Sequence, residues 1–251
     1  MPIHVHPTAP LAERVLLPGD PARALTLAQS LLSEPRMFNH NRGLWGYTGI
    51  AADGDALTIQ SSGMGGPSAA IVITELAQLG ASRLVRVGTC GALDPSLKLG
   101  DLLVPTSALS CDGTSRALGA ADRATPDPEL LGALRADGRL KPVEMASVDL
   151  FYGADEAALF ENGAQALDME CATLFVLAQK LGLHSASVLI VSDTILPHRT
   201  RISPDALQQA ERAAGAIAAQ ALSVEKSGEW DRGPLSPARV SPRARAGSDS
   251  T

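Results

Sequence analysis

Residues 60–93 read QSSGMGGPSAAIVITELAQLGASRLVRVGTCGAL, and the order of features in that stretch decides the fold class. A strand end runs into Gly63, Gly65 and Gly66, Pro67 opens an apolar helix to residue 79, Gly80-Ala81 closes it, and residues 83–88 return as a second strand. Strand, buried helix and strand in succession make a parallel βαβ unit. Within the second strand, Arg86 lies among apolar neighbours and is followed at once by Gly88, Thr89 and Gly91. A buried guanidinium left dry and unpaired is costly, so it needs an anionic partner or a full set of acceptors. Glycines admit backbone N–H groups to such a partner, and a threonine hydroxyl adds a donor. The stretch therefore reads as the floor of an anion site, with a salt bridge to a structural carboxylate as the alternative.

Working outward, Arg14–Pro18 is a short apolar strand ending at Gly19-Asp20-Pro21, where Asp20 is the expected N-cap and Pro21 the first residue of a helix running to about residue 33. Arg23 falls in that helix's first turn. It reads equally as a second cation for an anion held at a helix N-terminus or as a solvated surface arginine. Arg42 precedes an expected hairpin over residues 44–50 and 56–61 that turns at Asp53-Gly54-Asp55, with Trp45 and Tyr47 expected to pack.

Residues 102–105 and 142–148 read as strands. Residues 107–141 between them are polar and weakly patterned, apart from a helix near residues 128–135. Phe151 and Tyr152 follow the second of these strands, where two aromatics suit either a flat heteroaromatic ligand or the core. Asp168-Met169-Glu170 is expected at the head of an apolar helix over residues 167–181. Residues 187–191 form a buried strand ending in Ser192-Asp193, an acid at the carboxyl end of a strand, where ligands of such sheets bind. Ser203-Pro204 opens a final helix to about residue 222.

At 251 residues with 45% hydrophobic and 19% charged side chains, the chain is long enough for one large α/β domain. We expect a three-layer α/β/α single domain over residues 1–223 with a central mixed, partly barrel-like sheet, and residues 224–251 have the Pro-, Ser-, Gly- and Arg-rich composition of a disordered tail. The net charge of −6 and the pI near 5.4 argue against a general nucleic-acid surface. Cys90, Cys111 and Cys171 follow neither a metal-ligand nor a disulfide spacing and read as reduced thiols. The N-terminus lacks the signature of a signal peptide and no apolar run approaches a membrane span, so a cytoplasmic protein is expected, with no membrane partner.

Taken together and in order, LLPGDPAR at 16–23, NRGLWGYTG at 41–49, SSGMGGPSAAI at 61–71, RVGTCGAL at 86–93, SVDLFY at 147–152, DMECATL at 168–174 and SD at 192–193 resemble the nucleoside phosphorylase family of the purine nucleoside and uridine phosphorylase type, in particular its hexameric bacterial branch. The resemblance spans nearly the whole chain except the tail. It implies reversible cleavage of a nucleoside by phosphate to free base and ribose 1-phosphate, with inorganic phosphate as co-substrate and neither a metal nor an organic cofactor. It also implies a homohexamer, a trimer of dimers with sites shared between neighbouring subunits.

Carried over residue by residue, the resemblance assigns phosphate to Gly19, Arg23, Arg86 and Thr89, joined by Arg42 from a neighbouring subunit. It assigns the ribose to Met169 and Glu170, with the 5′ hydroxyl reached by the neighbour's His4 or the nearby His6. Phe151 and Tyr152 become walls of the base pocket, and Asp193 the donor of a proton to purine N7. Uridine phosphorylases of the family carry a glutamine and an arginine shortly after the Phe-Tyr pair, where this chain has Asp155 and Ala157, so purine is the expected base. The chain departs from the pattern in three places. Ala206 stands where the family carries an arginine that assists the aspartate, leaving Arg199, Arg201 or Arg212 as substitutes. Asp168 replaces a family glutamate, and residues 107–141 differ from the purine branch.

Uridine or broad-specificity phosphorolysis is the nearest alternative. A nucleosidase of the same fold would not need the arginines. An oxidoreductase would need the full glycine fingerprint and a ribose-binding acid after the next strand, both missing here. A non-catalytic nucleoside-binding protein is supported only by Ala206.

Overall fold

A computed structural model describes residues 2–223; the expected tail at 224–251 lies outside the described residues. The first strand, β1 (Arg14–Pro18), leads into α1 (Pro21–Leu31), capped as expected by Asp20, whose carboxylate accepts from the Ala22 N–H at 2.8 Å. Strand β2 (Ser33–Asn39) follows, then β3 (Gly46–Ile50) and β4 (Ala56–Gln60), which form the expected hairpin. Helix α2 (Gly65–Leu79), β5 (Arg83–Ala92) and β6 (Leu102–Ser110) come next. The region that looked unpatterned contains α3 (Gly113–Ala117), β7 (Arg123–Ala124) and α4 (Pro128–Ala136). The chain continues through β8 (Lys141–Ser147), α5 (Glu156–Glu161), β9 (Ala166–Asp168), α6 (Cys171–Leu181), β10 (His184–Thr194), β11 (Thr200–Arg201) and α7 (Pro204–Ser223).

The sheet is mixed and half closed. Strand β10 pairs with β5 and β6, β6 with β8, β8 with β9, and β9 with β5, so five strands close a ring. From β5 the sheet opens outward through β1, β4, β3 and β2. Strands β4, β1, β5 and β10 are mutually parallel, so their carboxyl ends open on one side, where α/β sheets hold ligands.

Strand alternation supplies both cores. Val15 and Leu17, Leu84, and Leu189 and Val191 pack with α2 and α6; Leu16, Val85 and Val87, and Val188 and Ile190 pack with α1, α4 and α7. Helices thus cover both faces, which is why the central strands read as largely apolar runs.

Four local expectations are corrected. The helix expected to begin at residue 167 begins at Cys171, because residues 166–168 pair with β5 and β8 as a three-residue strand too short for any period to show. The helix expected to reach residue 33 ends at Leu31, and β2 follows. Being an edge strand, β2 tolerates Pro35 and carries five exposed residues, which hid it. Strand β6 runs five residues beyond Pro105. Trp45 is 40% exposed while Tyr47 is buried.

Candidate active site

At the carboxyl ends of the four parallel strands lies a cavity of about 420 Å³, a size suited to a small-molecule ligand. Gly19 and Arg23 reach it from the β1–α1 turn, Gly63 and Met64 from the β4–α2 turn, Thr89 from β5, and Ser192 and Asp193 from β10. Met169 and Glu170 close it from the loop between β9 and α6.

Arg86 sits on the floor, 6% exposed. Its Nη2 donates a short hydrogen bond to Glu170 Oε2, and its Nε lies 3.4 Å from Asp168 Oδ2. Burial alone would lower the pKa of this guanidinium, but Glu170 and Asp168 outweigh it and hold the group above its ordinary value, so Arg86 stays charged. The structural-carboxylate reading therefore holds for one edge of the guanidinium. The other edge is different: Nη1 is buried with no hydrogen-bond partner among the described residues, and it is turned toward Gly19, where an added Cβ would lie 3.7 Å from it. A buried charged donor without a partner is a demand for an acceptor.

Two of the glycines act differently from what the sequence suggested. A Cβ on Gly88 would come within 2.8 Å of Arg86 Cζ, so this residue makes room for the guanidinium itself. A Cβ on Gly66 would lie 2.7 Å from Thr173 Oγ1, so that residue brings α2 close against α6.

The acids around Arg86 are firmly held. Asp168 accepts from Ser147 Oγ at 2.7 Å and from the N–H of Cys171, the first residue of α6, at 3.1 Å. Glu170 Oε1 accepts from the Gly65 N–H at 2.6 Å. Burial pushes the Glu170 carboxyl up, against the pull of Arg86. Arg23 lines the cavity, but its Nε donates to Glu211 Oε1 of α7 at 2.7 Å and its Nη1 to Val87 O at 3.4 Å. It is thus neither solvated nor wholly free, a buried cation with Nη2 left over.

Asp193, 4% exposed, also lines the cavity. The register of β10 against β5 slips between Val191 and Asp193, and this bulge brings both Ser192 and Asp193 to the cavity. Ser192 Oγ donates to Asp193 Oδ2 at 2.8 Å, while Oδ1 accepts no hydrogen bond from the described residues. Arg201 Nε lies 3.2 Å and Arg199 Nη1 4.0 Å from Oδ1. No ion pair joins Arg212 to Asp193, and Arg212 is exposed.

Phe151 lines the cavity and Arg199 Cζ sits 5.5 Å above its ring. Tyr152 packs edge-on against Phe151 at 4.8 Å but is 85% exposed and outside the lining. Asp155 caps α5 by accepting from the Ala158 N–H at 3.1 Å, a structural use for a position that could have read a base. His4 and Arg42 do not line this cavity. Arg42 is exposed, with φ of 57°. Sequence reasoning quoted Ser192 beside Asp193 but gave it no role, and it missed Glu75, which lies in an apolar helix.

Cys90 and Cys171 are buried and Cys111 half-buried, all free. Among the described residues no group of three or more His, Cys, Asp or Glu side chains could hold a metal ion, and no helix is long and apolar enough to cross a membrane.

Fold and cavity together define an α/β enzyme whose small-molecule site is lined by the buried cation Arg86 and by the acid Asp193. The chain matches the family model of the phosphorylase superfamily over residues 13–223 and belongs to that family. A DeoD-type purine nucleoside phosphorylase of Geobacillus kaustophilus (strain HTA426) is 37% identical over 207 residues, covering 78% of this chain and 87% of its own. One from Geobacillus stearothermophilus is 38% identical over 198 residues, covering 74% and 83%. Among solved structures, a uridine phosphorylase from Vibrio fischeri ES114, complexed with 6-hydroxy-1-naphthoic acid, superposes with a TM-score of 0.76 at 26% identity, covering 84% of this chain and 91% of its own.

Proposed function

We propose that the protein is a purine nucleoside phosphorylase, a pentosyltransferase that cleaves a purine ribonucleoside or deoxyribonucleoside with phosphate to give the base and the sugar 1-phosphate. The observation that carries this reading is the buried Nη1 of Arg86, without a hydrogen-bond partner among the described residues, in a cavity that Asp193 also lines. Its support from relatives is their name over most of this chain.

In this reading phosphate lies over Gly19 and Arg86 Nη1, flanked by Arg23 and Thr89, with Arg42 supplied by a neighbouring copy. A phosphate oxygen bonds to C1′ as the C1′–N9 bond breaks and its electron pair passes to the base. Asp193, acting as the carboxylic acid, donates its proton to N7 of the leaving purine and is left as the carboxylate, the kind of help typically worth about 10²- to 10⁴-fold. Glu170 keeps lone pairs beyond those used by Gly65 and Arg86, and these accept from the ribose 2′ and 3′ hydroxyls while Met169 packs on the sugar. Phe151 walls the base. Of the candidate substitutes for the arginine replaced by Ala206, Arg201 is the one we assign to steady Asp193, and His4 is the residue we assign to the neighbour's 5′ hydroxyl. Phosphate supplies the anion, so we assign no metal or organic cofactor. We place the enzyme in the cytoplasm, where its free thiols stay reduced, and read it as a homohexamer in which neighbours share sites.

Incubating inosine, adenosine, guanosine and uridine with and without phosphate tests this reading. We expect base release from the purine nucleosides only when phosphate is present. Release in phosphate-free buffer contradicts phosphorolysis, and release from uridine alone contradicts the purine assignment. A fully active monomer in solution would remove Arg42 and His4 from the site.

A further inference from the structure

One carboxylate ties the N-terminal segment to the fold. Glu75 is 7% exposed on the otherwise apolar buried face of α2. Its Oε1 accepts from the Ile3 N–H at 2.9 Å, and its Oε2 accepts from the His4 N–H at 2.9 Å and the Val5 N–H at 2.7 Å. Oε1 also lies 2.9 Å from His4 Nδ1. Burial pushes this carboxyl up, but the hydrogen bonds from Val5, His4 and Ile3 outweigh it and hold its pKa at about 2.

An ionised carboxylate only accepts, so His4 Nδ1 carries the hydrogen and donates it, and the neutral form of the ring that this contact selects has its lone pair on Nε2. That nitrogen makes no hydrogen bond to the described residues. His6 is set differently, because its Nε2 faces Ile3 O at 2.9 Å and is thereby committed as a donor to its own backbone. Beside His4, Ile3 is 69% exposed, and Ile71, one turn before Glu75 on α2, is 41% exposed.

We propose that Glu75 is a positioning residue for the reaction, fixing the tautomer and direction of His4 so that the ring presents an accepting Nε2 to the sugar 5′ hydroxyl in the site of a second copy of this chain. The proposal rests on the phosphorylase reading above. It adds the group that makes His4 an acceptor of that hydroxyl's proton.

The test compares kcat/KM for inosine and 5′-deoxyinosine in the full-length enzyme with saturating phosphate. Wild type is expected to favour inosine by roughly 10-fold, the effect of about one hydrogen bond. His4→Ala and Glu75→Gln should each bring that preference close to one, leave the KM for phosphate unchanged, and show no further loss when combined. A Glu75→Gln enzyme that slows on both substrates equally and keeps its preference overturns the role, as does additive loss in the double variant. Should Glu75→Gln not fold, the ¹⁵N shifts of His4 in wild type decide: hydrogen on Nδ1 supports the proposal and hydrogen on Nε2 overturns it. Failure of wild type to cleave inosine with phosphate would overturn the phosphorylase reading and this role with it, an outcome distinct from discrimination that survives Glu75→Gln.

Discussion

Arg201 Nε lies 3.2 Å from Asp193 Oδ1, and the two residues are direct partners in the antiparallel pairing of β11 with β10. A two-residue strand therefore delivers a guanidinium to the acid through backbone register. Arg201→Ala is expected to lower kcat roughly 10-fold, the range of one charge-assisted contact, with the KM for phosphate unchanged. Arg212→Ala serves as the exposed control. Equal kinetics for the two variants would return the assisting role to Arg199 or to none.

Asp193→Asn keeps the shape of the side chain and removes the proton donor. The expected loss in kcat/KM is about 10²- to 10⁴-fold, greatest for the 6-aminopurine nucleoside adenosine. Adenosine turnover at the wild-type rate would sink the general-acid role.

Gly88→Ala would put a Cβ 2.8 Å from Arg86 Cζ and displace the guanidinium. Since misplacement by about 1 Å can cost up to 10²-fold, a rise of roughly 10-fold or more in the KM for phosphate is expected, with the nucleoside KM less affected. An unchanged phosphate KM would place the anion elsewhere.

Arg86→Gln leaves Asp168 and Glu170 as buried carboxylates without their cation. Breaking a buried pair typically costs about 3–5 kcal/mol, so a fall in melting temperature of roughly 10 °C should accompany the loss of phosphate binding. A variant as stable as wild type would mean that the two acids are held by Ser147, Cys171 and Gly65 alone.

Glu75 sets the acid limit of the N-terminal attachment. Its folded pKa of about 2 lies below the ordinary 4.5, so its stabilising contribution is complete above pH 4.5 and is lost as pH falls toward 2. Between those values the wild type should lose on the order of 2 kcal/mol that Glu75→Gln does not lose, measured by urea unfolding at several pH values. Parallel pH dependences would show that Glu75 remains ionised in the unfolded chain to the same degree.

The sequence by itself determined the βαβ unit, the capped α1 and the three-layer class, because apolar period, proline and glycine act over short distances, and through its family resemblance it also picked out eight of the residues that line the cavity. It also separated Arg86 from ordinary surface arginines, since a cation inside an apolar strand demands a partner wherever that partner lies. Only the tertiary structure decided which partners these are. Arg86 meets Asp168 and Glu170, 82 and 84 positions later, Arg23 meets Glu211, 188 positions away, and Arg201 rather than the position at Ala206 faces Asp193. Charge pairing across such separations follows from how the strands close the ring and where β10 bulges, which no local pattern of residues records.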